Sequence, residues 1–129
     1  MFSSIRTSIK NKNVVTDLTR KIGLGPENTV ARLAFAYSLA KGRNLDLQNI
    51  QDSKGKEYSK NVLFGKNLTY YVALICQQYN IYKTDKDIPK YIKLHIDDGL
   101  ELLSKEYDKK RNVSGLDFVL SLIDQGLKN

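Results

Sequence analysis

Apolar residues recur at helical spacing through most of the 129-residue chain. Val14, Leu18 and Ile22 fall at i, i+4 and i+8, with Val15 beside them. That predicts a helix ending near Ile22 and begun by Asn11 or Asn13 as N-cap. A second helix runs from Pro26 or Asn28 to about Ala40 and is closed by Lys41-Gly42. It carries Val30, Ala31, Leu33, Ala34, Phe35, Ala36, Tyr37 and Leu39, and from Asn28 onward Arg32 is its only charge. A helix apolar on every side is buried on every side. A domain this small can hardly surround one, so the pattern implies an oligomeric core.

The second half repeats the helical period. Leu68, Tyr71, Val72, Ile75 and Tyr79 form one stripe. Thr84-Asp85 opens the next helix, with Pro89 in its first turn. Ile88, Tyr91, Ile92, His95, Ile96, Gly99, Leu100, Leu103 and Tyr107 then hold one face for five turns. Leu116, Val119, Leu120, Ile123 and Leu127 mark a last helix. Only residues 3–9, SSIRTSI, alternate with period two: Ile5, Thr7 and Ile9 point one way, Ser4, Arg6 and Ser8 the other. A lone strand needs a partner, which a second subunit could supply. Strand, helix, turn and helix follow the ribbon-helix-helix plan, in which Ser4, Arg6 and Ser8 would face DNA. Residues 42–66 show no period. DSKGKEYSK reads as an exposed basic loop and VLFG as a short buried segment. The expected architecture is a single domain over residues 1–129, all-α with about five helices and a short N-terminal strand.

Charge sharpens this picture. The formal net charge is +7. Residues 1–66 hold 12 Lys/Arg against 5 Asp/Glu, whereas residues 67–129 hold 9 of each. The whole excess sits in the first half, as expected of a protein that binds a polyanion, most often nucleic acid. The basic residues singled out for phosphate contact are Arg6, Lys10, Lys12, Arg20, Lys21, Lys54, Lys56 and Lys60. No apolar run approaches the ~20 residues that span a membrane, so no membrane partner is expected. The N-terminus lacks an apolar signal core, which points to the cytoplasm.

Other chemistry is sparse. Gly23-Leu24-Gly25-Pro26 precedes a helix, but no P-loop lysine follows it. A helix comes before it where a dinucleotide fingerprint needs a strand. The turn therefore reads as a corner, with Gly23 or Gly25 as a left-handed C-cap. His95 sits in an apolar stripe and reads as a core or interface histidine, and Cys76 as packed. One His and one Cys make a poor zinc site. Asp97, Asp98 and Glu101 read as a solvated helix face paired with Lys93 and Lys105. Asp46, Asp52 and Lys54 match a metal-nuclease pattern only weakly. No cofactor and no catalytic residue are expected.

Four segments together bear a family likeness: SSIRTS (3–8), DLTRKIGLGPENTVARLAFAYSLAKG (17–42), DSKGKEYSKNVLFG (52–65) and HIDDGLELL (95–103). The chain resembles the DndE family, the small E component of bacterial DNA phosphorothioation systems. The resemblance implies a helical, tetrameric, DNA-binding accessory subunit with a preference for nicked duplex. It implies other modification subunits as partners, and it links the glycines matching Gly23 and Gly25 to assembly. Sulfur chemistry then belongs to other components, which agrees with a single cysteine that cannot hold a cluster. Two alternatives stand beside this reading: a metal-dependent DNA-nicking enzyme of the same system, and a protein scaffold for the other subunits.

Overall fold

The structure, a computed structural model, describes residues 2–109 and 114–128, the last two of these by backbone only. Five helices of twelve residues or more dominate it: α1 (Lys10–Ile22), α2 (Glu27–Ala40), α4 (Leu68–Tyr79), α5 (Ile88–Lys109) and α6 (Gly115–Lys128). The five-residue α3 (Lys60–Phe64) carries the VLF segment and buries Leu63 and Phe64. A two-stranded antiparallel sheet pairs β1 (Ser4–Arg6) with β2 (Glu57–Ser59), Ile5 opposite Tyr58.

The partner of the N-terminal strand thus comes from the same chain, not from a second subunit. Residues 52–60 fold back along residues 3–9. The Thr7 amide donates to the Lys56 carbonyl, the Gly55 amide to Thr7 and the Lys60 amide to Ser3, at 2.9, 2.9 and 3.0 Å. Gly55 is needed here, because a Cβ would run into the Ser8 carbonyl. The period-two reading holds for Ile5, Arg6 and Thr7 and fails at the next two positions. Ser8 is buried and Ile9 is exposed, because the chain is already turning into α1.

The most deeply buried helical stretch is the middle of α5, and not α2, which reads as apolar on every side. Residues Ile92 to Asp97 are all buried, and so are Gly99 and Leu100. By contrast α2 leaves Ala36 and Ala40 exposed. The two helices share the most extensive helix–helix contact among the described residues. A Cβ on Gly99 would fall inside the Ala34 carbonyl; only the bare glycine lets the backbones approach so far. Phe35 fills the space beside the crossing, edge-on to Phe64 and Tyr71 at centroid distances of 5.3 and 5.8 Å.

At the far end α6 packs on α1 through a different face from the one its periodicity suggested. Phe118 and Leu122 are buried, while Leu116, Leu120 and Ile123 are about half exposed. The side chain of Leu127 lies outside the described residues. Val119 of the apolar row packs on the core, but the buried contact is made by Phe118, which meets the Tyr107 ring edge-on at 5.1 Å, and by Leu122.

His95 is a core residue, as expected. Its Nδ1 lies 2.8 Å from the Ser38 hydroxyl and its Nε2 lies 2.6 Å from the Tyr79 hydroxyl. Ser38 donates to Asp98, so the Nδ1–H donates to Ser38 and Nε2 accepts from Tyr79, an assignment that rests on the bonding pattern. Burial pushes the imidazole down to about 4. The unfolded chain therefore binds a proton that the folded chain refuses. The stabilising contribution is complete above the ordinary value near 6.5 and is lost as pH falls towards 4, to a limit of about 3 kcal/mol. Urea unfolding from pH 7 to 4.5 should show this fall in the natural chain. His95→Gln should show a flatter dependence; parallel profiles for the two would refute the assignment.

Candidate nucleic-acid interface

The interface is built outward from a buried carboxylate. Asp97 is 2% exposed. Its Oδ1 accepts the Ser8 amide at 3.1 Å and the Asn11 side-chain amide at 2.8 Å; its Oδ2 meets the Lys93 ammonium at 2.9 Å. Lys93 also donates to the Asp52 carbonyl at 2.7 Å. The Asp52 side chain in turn accepts the amides of Ile9 and Lys54, at 2.9 and 3.0 Å. The Ile9 amide above all holds this carboxyl below its usual range. One chain of polar contacts thus joins α5, the start of α1 and the turn at residues 52–54.

Several expectations change here. Asp97 lies inside the protein, because it must answer the Lys93 charge and two donors from the β1–α1 junction. Asn11 is not a cap; its side chain is spent on Asp97, and α1 starts one residue earlier. Asp98 and Glu101 pair with Arg43 and Lys10 across the fold, because α5 lies inside and its acids meet other elements first. Asp46 accepts the Gln48 amide at 2.9 Å and caps a short 3-10 turn. Asp46 and Asp52 thus shape backbone. Among the described residues no three His, Cys, Asp or Glu side chains converge as a metal site.

Residues 3–7 pair with residues 55–60 as a short ribbon. With the first turn of α1 and the turn at residues 52–54, this ribbon carries six of the eight singled-out cations: Arg6, Lys10 and Lys12 on one segment, Lys54, Lys56 and Lys60 on the other. Three of them have acidic neighbours. Arg6 reaches Glu57 at 3.2 Å, Lys10 reaches Glu101 at 2.8 Å and Lys56 reaches Glu27 at 3.2 Å. The hydrogen bond to Glu101 is the main reason the Lys10 ammonium is held above its ordinary value. Lys12, Lys54 and Lys60 have no carboxylate within ion-pairing distance among the described residues. Exposed pairs of this kind are worth little, ~0–1 kcal/mol, so a phosphate can replace the carboxylate at small cost.

Arg20 and Lys21 stand apart. They lie at the other end of α1, ~15 Å along the axis from Lys10 at ~1.5 Å per residue. Both pair with Asp17, at 2.5 and 2.8 Å, and these bonds, that from Lys21 foremost, hold its carboxyl low. Gly23 caps α1 in the left-handed conformation, φ 68°, its amide donating to the Thr19 carbonyl. Gly25, at φ 148°, completes the corner, and an added Cβ would press on the Thr29 hydroxyl at 3.2 Å.

One cation beside the ribbon escaped the sequence reading. A shallow hollow of about 240 Å³ under β1 is walled by Ser4, Arg6, Ser53, Pro89 and Lys90. Lys90 comes from the half of the chain that is neutral overall. Alternating Asp85, Lys86, Asp87 and Lys90 cancel in a charge count, so only the i,i+4 spacing of Lys86 and Lys90 could have signalled a cationic edge.

The sequence matches the family described as DNA sulphur modification protein DndE over residues 4–111. Among solved structures, the fold is similar to the crystal structure of DndE from Escherichia coli B7A, a protein involved in DNA phosphorothioation modification. The TM-score is 0.65 at 20% identity, covering 80% of this chain and 98% of that one. No curated protein matches the chain.

The polar knot yields a direct test. Replacing Asp97 by Asn leaves Lys93 buried without its anion. Removing one partner of a buried pair costs about 3–5 kcal/mol. Denaturant unfolding of Asp97→Asn should show a loss of that order, whereas a change below ~1 kcal/mol would mean that the pair is not what holds the ribbon on α5.

Proposed function

The chain belongs to the DndE family of DNA sulphur modification proteins, and from that premise we propose that it is a DNA-binding accessory subunit of the phosphorothioation machinery. It binds duplex DNA, preferentially nicked, through the cationic ribbon. The observation that carries this reading is that Lys12, Lys54 and Lys60 have no carboxylate within ion-pairing distance among the described residues. They lie on the two segments, 3–12 and 52–60, that together bear six basic residues against Asp52 and Glu57. Such groups contact phosphates and set affinity without reading sequence. A nick favours binding because it frees strand ends and lowers the cost of bending the duplex.

Its partners on this reading are DNA, further copies of itself in a tetramer, and the other modification subunits. Self-assembly is supported by α2, whose Ala36, Leu39 and Ala40 line an open groove of about 600 Å³ with Leu74 of α4. The carboxylates that would have served a nicking enzyme, Asp46 and Asp52, are committed to backbone amides. No observation favours that alternative.

Log affinity for nicked duplex should fall with log salt by ~0.9 for each phosphate contacted. Replacing Lys54, Lys56 and Lys60 together with Ala should flatten the slope by roughly that amount for each lysine in contact. An unchanged slope would exclude this side of the ribbon from the contact.

Gly23 and Gly25 act on DNA indirectly, by setting the angle at which α2 leaves α1. Gly25→Val should lower the mass measured in solution and weaken DNA binding together. Loss of DNA binding with the assembly intact would instead make the corner a phosphate contact.

A further inference from the structure

A second, larger hollow lies on the other side of Pro89 and takes no part in the ribbon. It measures about 580 Å³, within the ~300–1,000 Å³ usual for small-ligand sites. Phe2, Val72, Ile88 and Pro89 supply apolar walls, and Lys83 and Lys86 stand at its rim. Neither lysine has a carboxylate within ion-pairing distance among the described residues. Asp85 also lines the hollow, but its carboxylate accepts the Asp87 amide at 2.8 Å, and Asp87 pairs with Lys90 at 3.5 Å. The acids of this turn are therefore engaged within it. Tyr82, next in the chain to Lys83, is 86% exposed and has no ring or hydrogen-bond partner through its side chain among the described residues.

Resting on the DNA-binding reading above, we propose that this hollow receives an unpaired nucleobase at a strand break. A nucleotide joins a flat, largely apolar base to an anionic phosphate. The hollow matches both parts, with apolar walls for the base and two unpaired ammonium groups for the phosphate. Tyr82 does not line the hollow, but it is exposed and adjoins the lining residue Lys83 in the chain, so its π-face is available to a base outside the hollow, the usual device of proteins that hold single strands. The placement suits a break. Pro89 lines both hollows, so a strand leaving the larger one passes Lys90 and Arg6 onto the ribbon. An intact duplex cannot deliver a base without the cost of unpairing and unstacking it, which is smallest where the strand is already interrupted. The hollow thus selects the nick, while the ribbon binds any duplex.

The experiment uses the full chain with a nicked duplex carrying 5-iodo-deoxyuridine at the nick, and an intact duplex of the same sequence. Irradiation should crosslink the nicked DNA to Tyr82 or Phe2, and the intact DNA to neither. Tyr82→Ala removes a side chain that supports no packing, so the fold is kept. It should weaken nicked-duplex binding about five-fold or more, from the ~1–3 kcal/mol of one base–aromatic stack, and leave intact-duplex binding unchanged. Lys83→Ala with Lys86→Ala should also erode the preference for the nick. Crosslinks elsewhere, or a nick preference untouched by these variants, would overturn the base site while leaving the ribbon standing. Equal affinity of the natural chain for both duplexes would overturn the site as well. Failure to bind either duplex would overturn the DNA-binding reading itself, and the base site with it.

Discussion

The carboxylate of Asp97 is the constraint on which the arrangement of the N-terminal half depends. A buried charge is tolerated only when it is paired and its lone pairs are answered. Asp97 meets that demand by drawing on three places: Lys93 one turn back on its own helix, the Ser8 amide where β1 ends, and the Asn11 side chain where α1 begins. Lys93 has donors to spare and passes one to the Asp52 carbonyl. The polar requirement of one side chain therefore fixes how the strand, the first helix and the returning loop sit on the central helix. Those segments carry Arg6, Lys10, Lys12, Lys54 and Lys56.

Packing acts with this knot. Glycine at position 99 allows α2 to lie almost backbone-to-backbone on α5, and the aromatic rings of Phe35, Phe64 and Tyr71 fill the wedge beside the crossing. The long helix can then be covered from several sides by one small chain: α1, α2, α4 and β1 all contact it. What remains open is the outer face of α2 and the apolar row of α6 that points away from α1.

Electrostatics at the ribbon is graded. Lys93 is neutralised inside, Arg6, Lys10 and Lys56 are loosely paired at the surface, and Lys12, Lys54 and Lys60 have no carboxylate within ion-pairing distance among the described residues. Only the last two groups lie at the surface. On the proposed DNA-binding reading, exchange of an exposed carboxylate for a phosphate is nearly neutral in energy. The buried pair holds the scaffold.

Much of this was legible in the sequence because it is local. Period 3.6 marked α1, α4 and α5, and β1 followed from two-residue alternation. Proline at position 89 lay in the first turn of α5, and glycines marked the corner after α1. The charge asymmetry located the cationic half. The sequence could not say which side of an amphipathic or wholly apolar helix would be covered, since that depends on what packs against it. Hence α5, with Lys93 and Asp97 in its apolar stretch, proved more buried than α2, and α6 turned Phe118 inward where the longer leucine row was expected. Strand pairing between residues 3–9 and 52–60 is likewise a contact across some fifty residues, with no local signature beyond Gly55. The chain by itself determined the elements and the sign of the surface. Tertiary structure decided the partners, because a buried charge and a close helix crossing are satisfied by groups that only the fold brings within reach.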